Sequence, residues 1–101
     1  MEKSGDWTFL SNYGHVLVYI STHPEALVRE VAEHVGITER STMRIITQLD
    51  EAGVLSREKS GRRNLYTIDR QASLRHPVEA NCTVGRFLDV FADDDGPTEQ
   101  R

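Results

Sequence analysis

The sequence predicts an α+β domain, mainly α, in which a three-helix core leads into a β-hairpin and then an added C-terminal helix. Three observations carry this expectation. Apolar residues recur at helical spacing through the first half and are interrupted at a proline and at glycines. Between residues 54 and 68 the pattern changes to two short strand-like runs around a turn-rich segment. Helical spacing then returns, with Val84, Phe87, Leu88 and Phe91 on one face.

Each element has its own local warrant. Leu10, Tyr13, Leu17 and Ile20 share a helix face, and His23-Pro24 ends that helix, because a residue before proline is pushed out of helical geometry. Residues 25–35 read as a second helix with Val28, Val31, Ala32 and Val35 inward, closed by Gly36 at the position of a left-handed cap. Thr38 caps a third helix that runs to Ala52 and stops at Gly53. Thr42, Ile45, Ile46, Leu49 and Ala52 line its inner side. Arg40, Arg44 and Thr47 line the outer side, with Met43 at the border. Residues 54–59 and 65–68 are the expected strands, Ser60-Gly61-Arg62-Arg63-Asn64 the turn, and 79–91 the last helix. Residues 1–6 are expected to be flexible, 7–70 to form the main domain, 71–92 a linker and helix, and 93–101 a disordered acidic tail.

Composition narrows the function. One chain of 101 residues is enough for a single core but not for a deep substrate cavity. No signal peptide is visible, and the longest apolar run, Val16 to Ile20, is far below the ~20 residues of a membrane span. The single cysteine excludes an internal disulfide and makes a reducing cytoplasm the default. Net charge is −4, yet it is unevenly spread. Residues 1–38 hold two basic and five acidic groups, residues 39–70 seven basic and five acidic, and residues 71–101 three basic and six acidic. The basic middle third can neutralise phosphates whatever the overall sign.

Helix, glycine turn, helix, hairpin is the order of a winged helix-turn-helix. Small Ala32, turn-forming Gly36 and apolar Val31, Val35, Ile37 and Ile45 are the residue types that a tight two-helix wedge requires. Gly36-Ile37-Thr38-Glu39-Arg40-Ser41-Thr42-Met43-Arg44-Ile45-Ile46 resembles the recognition-helix pattern of MarR-type proteins. Asp50-Glu51-Ala52-Gly53-Val54-Leu55 is similar to the helix–strand junction, and Gly61-Arg62-Arg63-Asn64-Leu65-Tyr66-Thr67-Ile68 to the wing. Leu74-Arg75-His76-Pro77-Val78-Glu79 resembles the segment after the wing in small regulators of this group. Over residues 10–91 the chain thus resembles winged-helix regulators of the MarR and ArsR superfamily, although it is shorter than a typical MarR protein and places Thr42 where an apolar residue is usual. The resemblance implies a symmetric dimer on double-stranded DNA, with the third helix in the major groove and the wing at the minor groove. Repression is the commonest habit of such regulators. A second reading, a sensor with a small-molecule effector between the dimer helices, would refine this one without replacing it.

The chemistry of the residues fits that expectation. The third helix opens with backbone N–H groups and a partial positive charge suited to a phosphate, with Thr38 and Ser41 hydroxyls alongside. Arg40 and Arg44, one turn apart, suit base edges, and Thr47 and Met43 extend that face. Glu39 either reads a cytosine amino group or complements the helix dipole, and the dipole is the simpler role. Arg62 and Arg63 suit a narrow minor groove, and Lys59 and Asn64 the flanking backbone. Trp7, Leu10, Val84, Phe87, Leu88 and Phe91 form more apolar surface than a winged helix alone covers, and are expected to build a homodimer.

Plainer explanations compete. A charged helix face or a basic hairpin tip is often only a solvated surface, and it is the combination with the glycine turn that points to DNA. His76, Glu79 and Cys82 recur at intervals of three, but metal-responsive relatives use denser clusters, so neither a metal nor a cofactor is expected. Cys82 has no partner thiol, and His15, His23 and His34 are scattered. No nucleophile–base pair, paired carboxylates or phosphate-binding glycine loop is present, so an enzyme is not expected. The rival is a winged helix that binds protein and not DNA.

Overall fold

The computed structural model describes residues 7–92, so the expectations for residues 1–6 and 93–101 lie outside the described residues. Four helices and one hairpin follow in the order α1 (Asn12–Thr22), α2 (Val28–Val35), α3 (Glu39–Glu51), β1 (Leu55–Ser60), β2 (Arg63–Ile68) and α4 (Val84–Phe91). This is the expected mainly helical α+β class with a winged-helix element order. Among the described residues, no helix is long and apolar enough to cross a membrane.

The apolar stripes meet in one core. Val16, Leu17 and Ile20 of α1 pack with Val31 of α2, Ile45 and Ile46 of α3, Leu55 and Tyr66 of the hairpin, and Val84 and Leu88 of α4. Ile20, Ile46, Val16 and Val31 are fully enclosed, and each such side chain contributes about 1.5–3 kcal/mol relative to exposure. Thr42 is enclosed too, but its hydroxyl donates to the Thr38 carbonyl at 2.9 Å, so the polar group is not orphaned. The scattered histidines have a packing explanation in part: the Tyr19 ring is stacked between His23 and His34, at centroid distances of 4.1 and 4.8 Å.

The helix-turn-helix joint forms as the sequence predicts. Gly36 sits at φ 89°, ψ 33°, and its N–H and that of Ile37 both reach the Ala32 carbonyl, at 2.8 and 3.1 Å. A residue with a Cβ loses about 1–2 kcal/mol in this left-handed geometry. Thr38 is extended, and its side chain accepts from the Ser41 N–H at 3.0 Å, which starts α3 one residue later.

Several boundaries differ from expectation: Leu10 lies before α1, Ala52 lies exposed past the end of α3, the hairpin turn is shorter, and α2 and α4 start late where another segment bonds to the backbone beside them. Helix α2 begins at Val28 and not at Glu25. The Pro24 carbonyl accepts the Tyr66 N–H of β2 at 2.9 Å, which holds residues 24–26 out of the helix, and Glu30 instead caps the Leu27 N–H at 2.8 Å. The hairpin is tighter than the expected five-residue turn. Ser60 pairs with Arg63 and Lys59 with Asn64, leaving a two-residue turn at Gly61-Arg62 with Gly61 at φ 67°. Helix α4 begins at Val84, not Glu79. Residues 70–74 bond to it and its lead-in, through Leu74 N–H to Cys82 O, Val84 N–H to Ala72 O and Gly85 N–H to Arg70 O at 3.0, 2.7 and 2.8 Å, while Thr83 caps the Arg86 N–H.

Candidate nucleic-acid interface

Helix α3 turns its apolar stripe inward, which leaves Glu39, Arg40, Met43 and Arg44 exposed on its opposite side and Ser41 and Thr47 half-buried beside them. At its start, the Thr38 carbonyl and side chain satisfy the Thr42 and Ser41 N–H groups, at 2.9 and 3.0 Å. The N–H groups of Glu39 and Arg40 have no acceptor among the described residues. This end of the helix therefore presents N–H donors with two arginines within the first turn and a half. Among the described residues, neither Arg40 nor Arg44 is held by a carboxylate.

The basic middle third of the chain divides into two sets. Arg57 lies half-buried on β1, donating through Nε to Asp50 Oδ2 at 2.9 Å, with its Nη1 3.7 Å from the Met43 sulfur. Arg70 donates through Nη2 to Asp89 at 2.7 Å and to the Gly85 carbonyl at 3.2 Å. Arg63, expected at the hairpin tip, lies in β2, and its Nη1 donates to the Glu25 carbonyl at 3.0 Å and stands 3.8 Å from Glu30 Oε1. These three arginines tie elements together. The set that no carboxylate or carbonyl holds among the described residues comprises Arg40, Arg44, Lys59 and Arg62, all exposed, with half-buried Asn64 directly opposite Lys59.

The residues expected at a dimer contact separate in the same way. Val84 and Leu88 are 1% and 3% exposed, built into the chain's own core, so they offer nothing to a partner. Phe87 and Leu10 are half-buried, while Trp7 and Phe91 are exposed. Phe9, 93% exposed, packs edge-on against Trp7 with centroids 5.1 Å apart. Leu10, Tyr13, Leu49, Leu74 and Phe87 line an open groove of about 960 Å3 next to that pair.

Arg57 is the residue that sequence reasoning missed. Strand alternation from buried Leu55 puts it on the core side, and an arginine there needs a carboxylate within reach, which Asp50 supplies across the glycine turn. That parity was the available signal.

No family model matches the chain, and no curated protein matches it. Among solved structures it is similar to Lactococcus lactis ZitR, wild type, in complex with DNA, with a TM-score of 0.48 and 12% identity over 68% of this chain. The chain spans about half the length of that one, covering 49% of it.

Proposed function

We propose that this chain is a double-stranded DNA-binding transcription regulator that acts as a homodimer, with α3 in the major groove and the hairpin at the neighbouring minor groove. The observation that supports this most is the outer face of α3. Arg40 and Arg44 stand exposed beside two backbone N–H donors at a helix start, where phosphate and base edges are both within the reach of such groups. Lys59 and Arg62 at the end of the hairpin add a second basic contact, which fits phosphates and a narrow minor groove. Residues 7–70 would carry the DNA contact. Trp7, Leu10, Phe87 and Phe91 would carry the contact between copies, and repression is the direction of regulation that we assign.

The test is a fluorescence anisotropy titration with labelled random-sequence duplex at two salt concentrations. Affinity that falls steeply with salt is expected, with a slope near −0.9 per phosphate neutralised. Affinity that is absent, or indifferent to salt, overturns the proposal and favours a protein-binding winged helix. Sedimentation over a range of protein concentrations tests the dimer, and a monomer throughout removes it.

A further inference from the structure

We infer that Arg63 is a positioning residue which sets the angle of the hairpin, not one of the groups that grip DNA. Its functional consequence rests on the DNA-binding proposal above, but its structural basis does not.

A two-stranded hairpin joined to a domain only at its base can pivot, since two strands alone are marginally stable in water. Here the outer edge of β2 is pinned to the α1–α2 loop at two points. The Tyr66 N–H donates to the Pro24 carbonyl at 2.9 Å. Three residues nearer the turn, Arg63 Nη1 donates to the Glu25 carbonyl at 3.0 Å. Two attachments along one edge fix a direction where one would leave a hinge. Arg63 reaches across a cleft of about 390 Å3, lined also by His23, Pro24, Ala26 and Glu30, so the link spans a gap that no apolar packing fills.

Glu30 makes the link electrostatic. Its Oε1 accepts the Leu27 N–H at 2.8 Å, which fixes the carboxylate at the start of α2, and stands 3.8 Å from the Arg63 guanidinium. The same carboxylate oxygen thus caps α2 and faces the arginine. Both side chains are nearly half exposed, at 45% and 40%, and such pairs add little to global stability. What the contact alters is the hairpin's set of orientations, and with it the position of Arg62 and Lys59 relative to α3.

The experiment uses the full chain, with Arg63→Ala, Glu30→Gln, the double variant and Arg62→Ala. Glutamine keeps an oxygen for the Leu27 N–H, so the cap of α2 survives while the charge facing Arg63 is removed. The first readout is hydrogen exchange at the Tyr66 amide without DNA. Faster exchange is expected in Arg63→Ala and in Glu30→Gln, with the double variant no faster than Arg63→Ala. Exchange unchanged in Arg63→Ala overturns the inference, whether or not the protein binds DNA. The second readout is anisotropy with labelled random-sequence duplex at two salt concentrations. Arg63→Ala is expected to weaken binding about three- to tenfold while leaving the salt slope at the wild-type value. Arg62→Ala is expected to lower the slope by about 0.9. A slope that falls equally in Arg63→Ala, with Glu30→Gln silent, makes Arg63 a phosphate contact and overturns the positioning role. Wild-type protein that shows no salt-dependent binding defeats the DNA proposal, and the exchange result then decides the link alone.

Discussion

Arg57 on β1 donates through Nε to the carboxylate of Asp50 in the last turn of α3, at 2.9 Å. The pair fastens the hairpin's first strand to the helix that carries the exposed arginines, and the same guanidinium lies against the Met43 sulfur at the border of that face. The orientation of the hairpin relative to α3 thus depends on a polar contact across the glycine turn at residue 53 as well as on the core.

Asp50→Ala is expected to destabilise the fold by about 1 kcal/mol, between the value of an exposed pair and that of a charged hydrogen bond. Arg57→Ala should cost a similar amount, and the double variant should cost less than the two losses added together. Urea unfolding of the four proteins checks this. Strict additivity would show that the two residues do not act as a pair.

Thr42→Val is expected to be neutral or slightly stabilising. The hydroxyl is enclosed and, among the described residues, bonds only to the Thr38 carbonyl, which also accepts the Thr42 N–H at 2.9 Å and so keeps a partner when the hydroxyl is gone. The methyl that replaces it enters an apolar setting. A loss above about 1 kcal/mol in thermal unfolding would mean that the hydroxyl has a role beyond its own helix.

Gly85→Ala should be costly for a steric reason. A Cβ at this position would sit 3.0 Å from the Arg70 carbonyl oxygen and 3.1 Å from its Cβ, because the Gly85 N–H bonds to that same carbonyl at 2.8 Å. Backbone cannot move aside cheaply, so a loss of about 1–3 kcal/mol is expected in chemical unfolding. Unchanged stability would mean that α4 can slide away from residues 70–72 without loss.

Arg44→Ala and Arg62→Ala should differ in kind. Under the proposed DNA contact, Arg44→Ala is expected to cost about 1–3 kcal/mol and to relax sequence preference in selection from random duplexes. Loss of Arg62 is expected to weaken all sequences alike and to flatten the salt dependence. Identical profiles in the two variants would remove the proposed division of labour between helix and hairpin.

How much could be read from the residues alone depends on the distance over which each feature is determined. The inward stripes of α2 and α3 (Ala52 apart, which lies exposed at the end of α3), the left-handed turn at Gly36 and the cap at Thr38 depend on groups within a turn or two, so spacing and residue type were sufficient for them. The outward setting of Arg40 and Arg44 is legible for the same reason, since it is fixed once Ile45 and Ile46 face the core. Arg63 shows the opposite case. Next to Arg62 it reads as another basic residue of a turn, yet its acceptor lies 38 residues away, on a loop brought alongside β2 only by folding.

The late starts of α2 and α4 have the same origin. Both segments have helical periodicity, but the Pro24 carbonyl accepts the Tyr66 N–H and the Cys82 carbonyl accepts the Leu74 N–H, and these contacts hold the chain before each helix in a non-helical course. Val84 and Leu88 likewise form a stripe whose partner the sequence leaves open, and it is the packing of α4 against α1 that commits them to the chain's own interior. The sequence by itself therefore determined which faces are apolar, where the chain turns and which helix presents arginines. Tertiary structure decided which cations are engaged within the molecule and which are left without a partner among the described residues, because ion pairs and buried contacts belong to surfaces that exist only after the elements have met.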